Sequence, residues 1–120
     1  MNLADQLKQQ ALAQGFAVAG VASTSAGGRM PLRTAALERW LAAGYQADMA
    51  WMNNPKRLAV QQLLPGVRSL LAVGLNYYVD QQQGVGVARI ARYGWGRDYH
   101  RLIEQRLKRL GRWLELQQPD

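Results

Sequence analysis

Apolar residues recur at helical spacing in three parts of the chain, and two nearly continuous apolar runs lie between them. The first predicted helix lies between Asn2, a capping residue, and Gly15, a typical C-terminal stop. The second has Pro31 in its first turn and ends at Gly44. A shorter helix is predicted over 45–52.

The last predicted helix has the most regular pattern. Asp98 is its expected cap, and the helix ends near Gln117, before Pro119. Its apolar residues repeat at i, i+3 and i+4, which predicts one buried face. These residues are Tyr99, Leu102, Ile103, Leu107, Leu110, Trp113 and Leu114.

The apolar runs Phe16–Ala22 and Ser69–Val79 predict buried strands, of which the second is expected to be covered on both faces. Val85–Tyr93 is a possible further strand. The order of elements is typical of an α/β fold with buried strands flanked by helices. Only two of these strands are clearly predicted, and two strands are too few for a stable sheet. The chain is therefore expected to be an incomplete part of a larger domain.

Composition excludes several kinds of site. The 120 residues contain no cysteine and one histidine, His100. Disulfides, thiolate metal sites and a cysteine nucleophile are excluded within these residues, and a Ser-His-Asp triad is improbable. Gly84 and Gly86 do not form a dinucleotide fingerprint, because no helix follows them and the third glycine is missing. Without a secretory signal or a long apolar run, a cytoplasmic protein with no membrane association is expected.

The net charge of +7 is concentrated near the C-terminus. Residues 89–112 contain eight basic and two acidic residues, with tyrosines and tryptophans between them. This pattern suits an RNA-binding surface, but it is also typical of a solvated helix face with aromatics behind it. Arg57 precedes the loop into the second apolar run and is either a ligand-binding or an ordinary surface arginine.

Three stretches, 44–52, 63–78 and 90–100, resemble the N-terminal region of epoxyqueuosine reductase. The run Ala91–His100, followed by a basic amphipathic helix, is the most specific of them. The resemblance implies reduction of epoxyqueuosine to queuosine at the wobble position of tRNA, the last step of queuosine biosynthesis. It also implies cobalamin, two 4Fe-4S clusters and a cobalamin-binding core related to reductive dehalogenases.

Matching the family's motifs residue by residue assigns Arg57 and Ala91 to cobalamin contact, with Arg92 and Tyr93 beside them. The resemblance does not require His100 as a cobalt ligand. It implies that the basic segment, residues 89–112, contributes to tRNA binding. The residues expected to favour tRNA are Arg97, Arg101, Lys108 and Arg109.

By this resemblance, residues 1–120 are the N-terminal part of the cobalamin-binding domain, and the rest of that domain and the ferredoxin-like cluster domain are absent. No catalytic residue is expected in the chain, because the family's general-acid aspartate lies beyond Asp120. The chain alone should be inactive. The expected partners are tRNA carrying epoxyqueuosine and an external electron donor, and the full-length enzyme is expected to be a monomer. The alternatives are a stand-alone basic RNA-binding module and one half of a split enzyme.

Overall fold

The computed structural model describes residues 1–25 and 27–117, which form a small α/β structure. Ala26, Pro119 and Asp120, which figure in the predicted loop and helix end, lie outside the described residues. The helices and strands are α1 Leu3–Ala13, β1 Val18–Ser23, α2 Met30–Ala42, β2 Ser69–Gly74 and α3 Tyr99–Gln117. Single 3-10 turns occur at Ala50–Asn53, Pro55–Arg57, Val60–Gln62 and Arg92–Gly94.

The predicted helix starts are confirmed by their capping groups. The Asn2 Oδ1 atom accepts a hydrogen bond from the Asp5 N–H at 2.9 Å, at the start of α1. Pro31 lies in the first turn of α2. The Asp98 Oδ1 atom accepts from the His100 N–H at 3.0 Å, at the start of α3. The Asn2 and Asp98 side chains each satisfy an amide that has no partner within its own helix.

The two strands pair in antiparallel fashion. The Ala17 N–H donates to the Gly74 carbonyl at 2.8 Å, and the Thr24 N–H donates to the Arg68 carbonyl at 3.0 Å. Rising numbers on one strand therefore meet falling numbers on the other. Neither strand contains a buried residue, so the prediction of buried strands was wrong. A sheet face is buried only by elements that pack on it, and a two-stranded sheet offers little area for such packing. Within the described residues no third strand joins β1 and β2.

Three predicted elements are shorter than expected or have a different structure. The strand predicted over 69–79 ends at Gly74, and the Asn76 side chain then forms a turn by accepting from the Tyr78 N–H at 2.9 Å. Residues 85–93 form no strand. The helix predicted over 45–52 is a turn followed by a 3-10 turn, because Ala47 has a left-handed φ of 48° that interrupts helical geometry.

The chain forms two compact units, one of residues 1–20 and 73–120 and the other of residues 21–72. In the first unit, α1 packs against α3. The side chains of Ala11, Phe16 and Leu110 form its buried core. The second unit contains α2 and three of the 3-10 turns. No helix in the described ranges is both long and apolar enough to cross a membrane.

Candidate functional site

Arg92 is the centre of an aromatic cluster in the first unit. Its guanidinium carbon lies 4.9 Å from the ring centre of Tyr78 and 5.6 Å from that of Trp95. Its Nη2 atom donates to the Gln81 carbonyl at 3.2 Å. Attraction between the cation and the ring faces holds the three side chains together. We call Arg92, Tyr78 and Trp95 the Arg92 cluster.

A glutamine fixes the loop that carries this cluster. The Gln83 amide donates to the Ile90 carbonyl at 2.8 Å and accepts from the Ile90 N–H at 3.1 Å. The Trp95 indole N–H donates to the same carbonyl at 2.9 Å. Gln83 therefore supplies the hydrogen bonds that a neighbouring strand would otherwise make. This explains why the apolar residues near Ile90 are held in place without forming a strand.

One short turn contains Ala91, Arg92 and Tyr93, which differ in their exposure and hydrogen bonding. Ala91 is exposed and extended, and its N–H makes no hydrogen bond within residues 1–25 and 27–117. Arg92 is half-buried, with its Nε atom buried and lacking a hydrogen-bond partner in that same part of the chain. Tyr93 keeps 60% of its surface exposed. Ala91 and Tyr93 are thus accessible to a ligand, whereas the Arg92 guanidinium contacts the Tyr78 and Trp95 rings and the Gln81 carbonyl.

An open cavity of about 1190 Å³ lies beside this turn, entirely within the first unit. Its walls include Tyr77 and Tyr93, whose rings meet edge to face with centres 6.2 Å apart. Arg97 and Arg101 also line it. The structure therefore brings together one predicted cobalamin contact and two predicted tRNA contacts. The sequence pattern indicated neither Tyr77 nor Gln83 as a site residue, because their roles depend on contacts across the loop.

The basic residues of α3 have different environments. At about 100° per residue, Arg101, Lys108 and Arg112 lie within about 40° of one another, opposite the buried Leu110. We call these three residues the α3 basic stripe. Lys108 forms an exposed ion pair with Glu104 at 2.9 Å. Arg109 lies about 80° from Arg101 around the helix, on the edge of the stripe.

Arg106 stabilises the C-terminal end of α1. Its Nη1 atom donates to the Gly15 carbonyl at 3.1 Å, just beyond the C-terminus of α1. A cation in this position complements the negative end of the helix dipole and satisfies a free carbonyl. Arg106 is therefore directed into the first unit rather than into solvent.

Asp98 and His100 form an exposed pair at the start of α3. The His100 Nδ1 atom lies 2.7 Å from the Asp98 Oδ1 atom, and its ring stacks on that of Tyr99. Hydrogen bonds from the backbone N–H and ring of His100 lower the pKa of Asp98 below its ordinary value. The described residues contain no group of three or more potential metal ligands.

Arg57 lies in the second unit, at the end of a 3-10 turn that begins with Pro55. Its Nε atom donates to the Trp51 carbonyl at 3.2 Å, and its guanidinium carbon lies 4.6 Å from the Trp51 ring centre. Its Nη groups make no hydrogen bond to any residue that the structure describes. A cavity of about 470 Å³ adjoins it. The cavity is lined by Met30, Leu37, Met52, Asn54, Lys56, Arg57, Val60 and Leu63.

The predicted cobalamin contacts therefore belong to two sets, with Arg57 in one unit and residues 91–93 in the other. Each set combines an aromatic surface with an arginine. Together with the α3 basic stripe, these features define a small basic α/β protein that carries arginines and aromatic rings at its surface.

Comparison with known proteins identifies the family. The family model described as "Epoxyqueuosine reductase QueG, DUF1730" matches residues 57–120, just over half of the chain. The chain is 70% identical over 118 residues to the epoxyqueuosine reductase of Synechococcus sp. (strain RCC307), covering 98% of this chain and 37% of the relative. For Synechococcus sp. (strain CC9605), the identity is 55% over 119 residues, covering 99% and 37%.

More distant relatives show the same correspondence. The epoxyqueuosine reductase of Vibrio cholerae serotype O1 is 36% identical over 122 residues, covering 95% of this chain and 32% of the relative. The chain belongs to the epoxyqueuosine reductase family. It spans a little over a third of the length of the two Synechococcus relatives. No solved structure matches it.

Proposed function

We propose that this chain is part of an epoxyqueuosine reductase, which reduces the epoxide of epoxyqueuosine in tRNA to give queuosine. The observation that carries the proposal is the family match over residues 57–120, which includes Arg57, the Arg92 cluster and α3. Residues 1–120 would form the N-terminal part of a cobalamin-binding domain related to that of reductive dehalogenases. Alone, the chain should be inactive, because it corresponds to only 37% of its relative from strain RCC307.

The exposed groups fit cobalamin as a ligand. The Nη groups of Arg57, which make no hydrogen bond within the part of the chain that the structure describes, can donate to carboxamide oxygens or to the nucleotide phosphate of cobalamin. The Ala91 N–H makes no hydrogen bond within the described ranges, and its small side chain permits close approach. Tyr93 offers an exposed ring. Arg92 would position these two neighbours through its contacts with Tyr78 and Trp95. When bound, cobalamin would supply a redox-active metal centre.

The 4Fe-4S clusters do not fit this part of the enzyme. Such clusters are held by cysteine thiolates, and the 120 residues contain no cysteine. Two clusters and an external electron donor therefore belong to the proposal for the whole enzyme, which we expect to act as a cytoplasmic monomer. None of the described side chains is assigned to electron transfer.

A chimera tests the proposed function. This chain would replace the matching segment of the Synechococcus sp. RCC307 relative, and the product would be expressed in bacteria that lack the reductase. Mass spectrometry of tRNA nucleosides should detect queuosine with the chimera and with the intact relative, but only epoxyqueuosine with the 120-residue chain. A soluble, folded chimera that leaves only epoxyqueuosine in tRNA would overturn the proposal.

The assignment of Arg57 is tested separately by cofactor retention. In the chimera, Arg57→Ala should lower the amount of cobalamin that co-purifies, measured by its visible absorbance, because two donor groups are lost. Arg33→Ala is the matched control, since Arg33 is also an exposed arginine of the second unit. Equal cobalamin content in the Arg57 variant and the parent would show that Arg57 does not hold the cofactor.

A split enzyme is the second candidate, favoured by the many large apolar residues that remain exposed. Here the chain would pair with a separate polypeptide that supplies the remaining length of the family. Mixing the purified chain with the complementary part of the RCC307 relative should restore queuosine formation. Failure of the two parts to co-purify would exclude this arrangement. A stand-alone RNA-binding module would instead bind tRNA without any dependence on cobalamin.

A further inference from the structure

The two outer edges of the β1–β2 sheet differ, and the difference indicates where the rest of the enzyme joins this chain. We propose that a strand from the part of the reductase outside these 120 residues pairs with the free edge of β2, and not with that of β1. The inference rests on the proposed function in one respect, that the chain is part of a longer reductase. It adds the surface through which the two parts are joined.

The hydrogen bonds between the strands define which backbone groups face outward. In an antiparallel pair, every second residue of each strand bonds to the partner strand, and the residues between them face away from it. Counting from the bond between Thr24 and Arg68 gives the two outward-facing sets. What we call the β2 edge consists of Ser69, Leu71 and Val73. What we call the β1 edge consists of Ala19, Val21 and Ser23. Within residues 1–25 and 27–117, neither edge makes a backbone hydrogen bond outside the β1–β2 ladder.

β1 carries a bulge, which is typical of a strand at the margin of a sheet. From Ala17 to Thr24 the chain advances seven residues, whereas from Arg68 to Gly74, the residues to which these two are bonded, it advances only six. One extra residue is therefore accommodated on the β1 side. Val18 packs so closely on Gly74 that a Cβ there would lie 2.6 Å from its methyl group, which places the extra residue near this end. Bulges bend a strand and discourage further pairing, so the β1 edge is already protected.

The β2 edge has no comparable protection. Ser69–Gly74 contains no proline and no charged residue, and the four residues between its ends are all apolar. Leu71 and Val73 are half-buried, so a strand added here would lie beside apolar side chains. Natural proteins cover or interrupt such an edge, because an open one pairs with other chains and aggregates. The β2 edge is therefore the side on which a further strand is expected.

The remaining length of the reductase is the partner that these observations favour. Nearly two thirds of the RCC307 relative lies outside the segment that this chain matches, whereas a strand needs only about five or six residues. A strand of the same polypeptide is held at a high effective concentration, but a second copy of this chain must be recruited from solution. A third strand would also give the sheet the number of strands that independent stability requires.

Hydrogen exchange of single backbone amides tests the proposal, measured by mass spectrometry in the chimera with the RCC307 relative. The amides of Leu71 and Val73 should exchange about 100-fold more slowly than those of Ala19 and Val21, because only the β2 edge is paired. Equal exchange at the two edges, or slower exchange at the β1 edge, would overturn the proposal. The comparison is made within one protein, so it is decisive even if the 120-residue chain alone is unfolded.

The 120-residue chain tests the competing occupant, a second copy. Its Leu71 and Val73 amides should exchange as fast as those of Ala19 and Val21 at every protein concentration. Slower exchange at the β2 edge that increases with protein concentration would show that a second copy pairs with this edge, and would overturn the assignment to the rest of the reductase.

Proline substitution tests the same edge by a second route. Proline has no N–H, so Val73→Pro removes an outward-facing donor of the β2 edge. Ala19→Pro is the matched control, since Ala19 faces outward from β1 and lies in the same unit. In the chimera, Val73→Pro should lower the urea midpoint more than Ala19→Pro does, because only the first removes a hydrogen bond. Equal shifts in the chimera would contradict the proposal.

The outcomes also separate this inference from the proposed function. A chimera that forms queuosine but exchanges rapidly at Leu71 and Val73 would refute only the added strand. A chimera that is protected at these two amides but leaves only epoxyqueuosine in tRNA would refute only the proposed function.

Discussion

Replacing Leu110 with alanine should show how far the first unit depends on the contact between α1 and α3. Leu110 is 2% exposed and forms the core with Ala11 and Phe16. The substitution removes three carbon atoms, and at about 0.8 kcal/mol for each buried group the transfer cost is about 2.4 kcal/mol. A residual cavity adds to this, so the free energy of unfolding should fall by about 3 kcal/mol.

Leu107 provides the matched control, because the same substitution can be made three residues earlier on the same helix. Leu107 is 39% exposed, so Leu107→Ala should cost about 1.5 kcal/mol and leave no enclosed cavity. Urea unfolding followed by far-UV circular dichroism would give both values. Equal losses for the two variants would refute the reasoning, since the predicted difference arises only from the burial of Leu110 against α1.

The remaining predictions concern local contacts of the first unit. At pH values above the ordinary pKa of 3.8, the Asp98 carboxylate should stabilise α3 fully. This contribution should disappear as the pH falls through the lowered pKa of Asp98. Circular dichroism in acid should therefore show a loss of helix signal at this step in the parent but not in Asp98→Asn. Gly15→Ala should lower the unfolding free energy by about 1–2 kcal/mol, because Gly15 has φ +95° and a Cβ would lie 3.0 Å from Arg106. Arg106→Gln should lower it by about 1 kcal/mol by removing the bond to the Gly15 carbonyl. Gly74→Ala should cost about 1–3 kcal/mol, because its Cβ would lie 2.6 Å from a Val18 methyl group. Urea midpoints measure the last three, and unchanged midpoints would contradict them.

The helices could be predicted from sequence because their signals are local. The capping of α1 by Asn2 and of α3 by Asp98 depends on atoms within three residues of each other. The apolar pattern of α3 also identified Leu110 as a core residue, which its burial confirms. Leu102 and Leu107 follow the same pattern but remain exposed, because periodicity indicates which face is apolar and not whether another element covers it.

The strands were harder to predict because an apolar run does not specify its own neighbours. Residues 75–79 continue the apolar sequence of β2, yet they form no strand, and the Asn76 Oδ1 atom instead accepts a hydrogen bond from the Tyr78 N–H. Residues 85–93 are held instead by the two hydrogen bonds between Gln83 and Ile90. A side chain that substitutes for a neighbouring strand leaves no periodic signal in the sequence.

Parts of the candidate site were predictable to different degrees. The resemblance to the family located Arg57 and Ala91–Tyr93, and its identification of the family is confirmed by the match over residues 57–120. It did not indicate that Tyr77 lies against Tyr93 across the loop. The assignments of these residues to cobalamin and of the basic residues to tRNA stay predictions, since they concern ligands rather than the folded chain.

The basic segment shows why net charge alone is a weak guide to a binding surface. In the sequence, Arg92, Arg106 and Arg112 contribute equally to the excess of positive charge. In the structure, Arg92 contacts two aromatic rings and Arg106 donates to the carbonyl of Gly15, whereas Arg112 is exposed on α3. Arg92 and Arg106 therefore act on the fold, and their loss should alter stability more than the salt dependence of RNA binding. Arg112 makes no ion pair within the described ranges, so its loss should have the opposite effect. A polyanion is attracted by every charge, but its position on the protein is determined by the side chains that the fold has not already used.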